Sequence, residues 1–193
     1  MSTPSPVVDR RSEILDAALA CFLERGYVAT SIADIRRRSG ASTGSIYHFF
    51  ENKGALALAL VERAVGGWSG SATEAANPEA TAESSIKASV AGLVHWGIAN
   101  PASLRFLDEV RSLAASDPSL DAVAALLTRG TDAARARYAE FVARREVRDL
   151  PWPLAHALML GPAYDFLRLS ADDASPGAAG ILVEAAWSAV RTP

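Results

Sequence analysis

Residues Thr30–Lys53 read TSIADIRRRSGASTGSIYHFFENK, and the order of apolar, small and glycine positions within them decides the fold. Ile32 and Ile35 share one face of a short helix that runs to Ser39. Thr30 or Ser31 offers the hydroxyl that caps its first amides, and Gly40 ends it. Ser42 then caps a second short helix, 43 to 50, which packs through Ile46 and Phe49. Two short helices joined by a tight turn form a helix-turn-helix, the arrangement that lays its second helix in the major groove of DNA. That second helix starts with Ser42, Thr43, Gly44 and Ser45. Small polar side chains let a helix N-terminus approach a groove floor, where hydroxyls bond base edges or phosphates and the helix dipole favours phosphate.

Working outward, residues 9 to 24 place Ile14, Leu15, Ala18, Cys21 and Phe22 at helical spacing, and Gly26 stops that helix. Residues 1–8 are rich in Ser and Pro and are expected to be disordered unless DNA is present. Asn52 caps a fourth helix that begins at Lys53 and carries Leu56, Leu58, Leu60 and Val61. Gly66, Gly67 and Gly70 are expected to weaken or kink it, at a cost of roughly 1 kcal/mol per interior glycine. Residues 71–80 read as a loop, and further helices are predicted at about 81–99, 101–115, 118–146, 153–171 and 177–191. Three of them start with a cap residue before a proline: Asn100-Pro101, Asp117-Pro118 and Ser175-Pro176. Gly161-Pro162 is expected to kink the helix it interrupts.

Composition agrees with an all-α chain. Half of the 193 residues are apolar and only 7% aromatic, with alanine and leucine dominant, and both are strong helix formers. The single Cys21 fits a reducing cytoplasm, and neither a secretion signal nor a long uninterrupted apolar run is present. These features predict a soluble, cytoplasmic protein. Net charge is −3, which by itself argues against a nucleic-acid partner. Residues 1–53 hold seven Lys/Arg and six Asp/Glu, so the small positive excess lies where DNA binding is expected.

Gly26-Tyr27, Thr30-Ser31, Ile32, Ile35, Gly40, Ser42 and the run Gly44-Ser45-Ile46-Tyr47-His48-Phe49-Phe50 before Asn52-Lys53 resemble the TetR family of bacterial repressors. The likeness covers residues 10–60; beyond them only the helix pattern agrees. It implies a three-helix DNA-binding domain, 1–53, followed by a helical-bundle ligand-binding and dimerisation domain, 54–193, with about nine helices in all. It also implies that Tyr47 and His48 hydrogen-bond phosphates, that Lys53 clamps the DNA backbone, and that Ser31 reaches phosphate from the helix before the turn. Ser42, Thr43, Gly44 and Ser45 would face the major groove. The last two helices, 153–191, would pair with their copies in a homodimer, presenting two recognition helices to a palindromic operator about 34 Å apart. A small-molecule ligand in the second domain would release the DNA, with the fourth helix as lever and Gly66-Gly67 as its flexing point.

Two positions depart from the family pattern: Arg36 stands where alanine is usual and Ala41 where valine is usual. An inward Arg36 would strain the helix pair, whereas an outward one could reach the DNA backbone. The run Arg36-Arg37-Arg38 reads either as added phosphate contacts or as a solvated helix end. Outside such a motif Tyr47 reads as a core aromatic and His48 as a surface residue; Phe49 and Phe50 read as core. Trp96, Phe106, Tyr138, Phe141 and Tyr164 are core aromatics by default and the candidates for lining a ligand pocket. No His/Cys/Asp/Glu cluster has metal-ligand spacing, and no cofactor motif appears. The chain also lacks a Gly-x-Ser-x-Gly elbow and a phosphate-binding glycine loop, so an enzyme is not expected. A DNA-binding regulator without a small-molecule inducer is the nearer alternative, and a small helical enzyme the remote one.

Overall fold

Ile14, Leu15, Ala18, Cys21 and Phe22, the residues spaced to face inward, are all buried on α1 (Pro6–Arg25) in the computed structural model. The structure describes residues 6–71, 77, 79–170 and 177–193. Helix α1 starts at Pro6, where a missing amide costs nothing in a first turn, so part of the segment expected to be disordered is helical. Residues 1–5 lie outside the described residues.

The chain continues through α2 (Ile32–Ser39), α3 (Thr43–Phe49), α4 (Lys53–Ser71), α5 (Ala82–Ala99) and α6 (Pro101–Leu113). A 3₁₀ turn at Pro118–Leu120 precedes α7 (Asp121–Ala143), α8 (Trp152–Ser170) and α9 (Ala178–Val190). Among the described residues there are nine α-helices and no strand, only an isolated antiparallel bridge between Val147 and Arg191. No helix among them is long and apolar enough to cross a membrane.

Several boundaries differ from the sequence expectation, each for a local reason. Pro118 opens the 3₁₀ turn rather than α7, because the Asp117 carboxylate accepts the Ser119 amide at 2.9 Å and Asp117 also accepts, through its carbonyl, from Leu120. Helix α7 ends at Ala143 and not at 146. Arg145 takes a left-handed conformation (φ +60°), with Glu146 N donating to Phe141 O and Arg145 N to Val142 O, which closes a Schellman motif. Pro101 does start α6, while Ser175-Pro176 lies outside the described residues. Of the expected loop, residue 71 ends α4, and residues 72–76 and 78 are outside the described set.

The glycines of α4 do not interrupt it: the helix runs unbroken from Lys53 to Ser71. Gly67 is instead a close-approach site, since a Cβ there would lie 2.6 Å from Trp96 Nε1, whereas Gly66 faces open space. Helix α8 likewise runs on through Pro162.

The described residues form two compact units. The first comprises the chain up to Ala64 together with Ala102–Leu127, so α1–α3 share a unit with most of α6 and the start of α7. Its core stacks Phe22 on Phe106 at 5.3 Å between centroids, with Tyr27 tilted against Phe22 at 5.4 Å. The second unit comprises Val65–Pro101 and Thr128–Pro193. There α5 packs on α8 and α9, and Ile86, Tyr138, Phe141, Met159 and Val190 belong to one buried cluster.

Candidate nucleic-acid interface

Helix α2 is held at its start by Ser31 and Asp34. Ser31 Oγ accepts from the Asp34 amide at 3.2 Å, and the Asp34 carboxylate accepts from the Ser31 amide at 3.0 Å, a reciprocal capping box. Ser31 Oγ also donates to Asp34 Oδ2 at 2.6 Å, so its one hydroxyl hydrogen is spent within the chain. These bonds, first from the Ser31 hydroxyl and then from its backbone, hold the Asp34 carboxyl below the usual carboxylate range. Ile35 is buried beneath α2, and Gly40 ends it at φ +63°, a backbone region open to glycine at no steric cost. Ala41 fills the turn as a buried residue.

Helix α3 follows at once. Ser42 Oγ accepts the Ser45 amide at 3.0 Å, and Ser42 O accepts from Ile46 N at 3.1 Å. Ile46 and Phe50 are buried; Ser42, Thr43, Gly44, Tyr47 and His48 are exposed, and Ser45 and Phe49 are half-buried. Residues 43 and 47, and 44 and 48, stand one helical turn apart, so they form a single solvent-facing stripe opposite Ile46. Tyr47 is 52% exposed, against the near-complete burial expected of a core aromatic. The His48 ring stands edge-on to Phe49 at 4.9 Å.

The arginine run divides. Arg37 pairs with Asp34, which Arg25 also reaches at 3.2 Å, and Arg38 pairs with Glu24 at 2.6 Å. Arg36 is exposed and its guanidinium has no ion-pair partner among the described residues. It therefore does not strain the α2–α3 packing. Arg10 reaches the carbonyl of Gly40 at 3.1 Å, tying α1 to the turn.

Lys53 occupies a different setting from the other candidates. Its Nζ donates to the carbonyls of Tyr27 at 2.8 Å, Val28 at 3.1 Å and Thr30 at 3.1 Å, and lies 4.4 Å from the Tyr27 ring centroid. Partial burial pushes the ammonium below the ordinary lysine value, opposed by the nearby Asp117 carboxylate. Around it, Asn52 caps α4 by accepting the Ala55 amide at 2.9 Å, and Gly54 abuts the carbonyl of Ser119, onto which a Cβ would fall.

Ser42, Thr43, Gly44, Ser45, Tyr47 and His48 thus lie together on α3, with Ser31 at the cap of α2 and Lys53 turned into the chain. The five aromatic pocket candidates have different neighbours. Phe106 stacks in the first unit, and Tyr138 and Phe141 sit in the buried cluster of the second, where Tyr138 Oη donates to Arg148 O at 2.8 Å. Trp96 covers Gly67, and Tyr164 stands edge-on to Trp68 at 6.5 Å. Thr30, the alternative cap offered by the sequence, is instead buried, with Oγ1 donating to Cys21 O at 3.1 Å and Gly26 O at 2.8 Å, and sequence reasoning did not single out Glu109 and Ser119, which meet Tyr27. Nothing in the local sequence of 109 or 119 signals that meeting.

Comparison with known proteins locates the likeness on this same segment. Residues 14–60 match the family described as bacterial regulatory proteins, tetR family. The HTH-type transcriptional repressor KstR2 of Rhodococcus jostii is 44% identical over 57 residues, 26% of this chain and 28% of that protein. The HTH-type transcriptional repressor AcnR of Corynebacterium efficiens is 38% identical over 60 residues, 31% of this chain and 32% of that protein. The chain therefore spans only about a third or less of the length of these curated relatives. Among solved structures, a TetR family transcription regulator from Marinobacter aquaeolei aligns with TM-score 0.77 at 19% identity, covering 95% of this chain and 96% of that one. The ketosteroid transcriptional regulator KstR2 of Mycobacterium tuberculosis aligns with TM-score 0.72 at 18% identity, covering 100% and 98%. At such identities the structural likeness establishes the fold, and residues 14–60 are similar to the helix-turn-helix segment of bacterial regulatory proteins of the tetR family.

Proposed function

We propose that this protein is a cytoplasmic, sequence-specific DNA-binding transcriptional regulator that acts as a repressor. One observation carries the reading: α3 turns Thr43, Gly44, Tyr47 and His48 to solvent as one stripe while Ile46 and Phe50 fix it from behind. A helix exposing short polar side chains at its start and longer polar aromatics one turn later suits a groove floor flanked by phosphates. In this reading Ser42, Thr43, Gly44 and Ser45 face the major groove and Tyr47 and His48 approach the phosphates, whereas Ser31 would reach a phosphate only by releasing the hydroxyl hydrogen it gives to Asp34. The family match covers this segment, and the similar curated proteins named above are repressors.

Residues 1–53 act as the DNA-binding domain and 54–193 as the ligand-binding and dimerisation domain of a homodimer on a palindromic operator. Exposed Leu154 and Leu169 on α8 and Ile181 on α9 support pairing through residues 153–191. A small-molecule ligand would bind in the second domain, where Trp96 and Tyr164 flank Gly67 and Trp68 of α4.

Selection of duplexes from a random-sequence library by the purified protein tests the proposal, followed by anisotropy titration against salt and light scattering of the complex. A palindromic consensus bound by a dimer, with affinity falling steeply as salt rises, is the expected result. Failure of a well-folded dimer to enrich any sequence would refute it.

A further inference from the structure

The backbone of residues 27–30 leads from α1 into the helix-turn-helix and belongs to no helix, so its polar groups need partners from elsewhere. Two charged side chains supply them from opposite directions. The amide of buried Tyr27 donates to Glu109 Oε1 on α6 at 2.6 Å. The carbonyls of Tyr27, Val28 and Thr30 accept from Lys53 Nζ at the start of α4. A carboxylate therefore takes one donor of this segment and an ammonium takes three of its four carbonyls, both through charge-assisted bonds. Between them the Tyr27 ring lies under the ammonium, and its hydroxyl meets Ser119 Oγ at 2.8 Å, which in turn donates to Asp117 Oδ1 at 2.7 Å.

We infer that Lys53 and Glu109 are positioning residues for DNA reading: they hold residues 27–30 from two sides and so fix where α2 and α3 stand in their unit. The inference rests on the DNA-binding role proposed above, and it departs from a phosphate clamp at Lys53. An ammonium has three hydrogens, and three backbone carbonyls lie at bonding distance from this one. Its contribution is to the geometry of the reader and not to the count of phosphate contacts.

The experiment uses the full-length protein, a labelled duplex enriched by the wild type from a random library, and four variants: Lys53→Met, Lys53→Arg, Glu109→Leu and Glu109→Gln. Anisotropy is read across a sodium chloride series, and amide hydrogen exchange of residues 26–31 is read without DNA. Lys53→Met and Glu109→Leu should each weaken binding about tenfold or more with an unchanged salt slope, and both should speed exchange at 26–31. Glu109→Gln keeps an oxygen acceptor and should lose less. Lys53→Arg should fail to restore binding, because a planar guanidinium cannot converge on three carbonyls around one point. A salt slope lowered by about one in Lys53→Met, with binding restored by Lys53→Arg, would make Lys53 a phosphate contact and overturn the inference. Unchanged exchange in Glu109→Leu would overturn it too. If the wild type enriches no duplex, the DNA-binding role itself falls and the positioning role with it, whereas faster exchange in the variants would still establish the hold on residues 27–30.

Discussion

Asp34 serves the start of α2 twice, accepting the Ser31 amide and hydroxyl while pairing with Arg25 and Arg37. Its carboxyl is held below the ordinary value of 3.8 by the Ser31 bonds first, so the folded chain favours the ionised form. A group depressed in this way contributes stability that is complete above the unfolded value and is lost as pH falls through the folded one. Thermal midpoints of the wild type and Asp34→Ala should therefore differ near neutral pH and converge as pH drops below 3.8. A gap that persists unchanged well below that value would show that the carboxylate's charge adds nothing. On α3 the proposed roles separate cleanly. Thr43→Ala should change preference among duplexes by about 1–3 kcal/mol at the base step it faces, whereas Tyr47→Phe should weaken every duplex alike. Uniform loss in Thr43→Ala, measured over a panel of single-base operator variants, would remove its base-reading role.

The caps are the elements that the sequence exposes best. Ser42 and Asn52 were legible because a cap is local chemistry, with acceptor and amide three residues apart in both cases. Pro101 was legible for the same reason. The end of α7 was not, since Arg145 occupies a left-handed position that glycine usually marks. Helix α4 shows the converse: its glycines looked like weak points, yet the helix is continuous, and Trp96 lies against Gly67. The two neighbours should accordingly respond in opposite ways. Gly66→Ala meets open space and should raise stability by about 0.5–1 kcal/mol. Gly67→Ala drives a methyl into the indole and should cost about 1–3 kcal/mol. Urea unfolding of both variants checks this, and equal effects would contradict the packing described.

At the scale of the whole chain, what the sequence could not reveal is which distant segments meet. Tyr27 and Glu109 are 82 residues apart, and neither position announces its partner. The same limit applies to the five aromatics proposed to line a pocket. Phe106 is as apolar as the others, but its ring completes a stack with Phe22 in the unit that holds α1–α3. Assembly is testable at this scale: Ile181 is exposed on α9, and Ile181→Asp should give a folded monomer by light scattering that has lost most of its affinity for a palindrome. A stable dimer in that variant would move the pairing surface elsewhere. Gly54, lastly, faces the carbonyl of Ser119, with no room for a side chain. In a survey of all single substitutions scored by reporter repression, position 54 would stand out as sharply as any base-reading residue. A ranking by mutational intolerance alone would then place it in the operator footprint, although what crowds it is the backbone of Ser119.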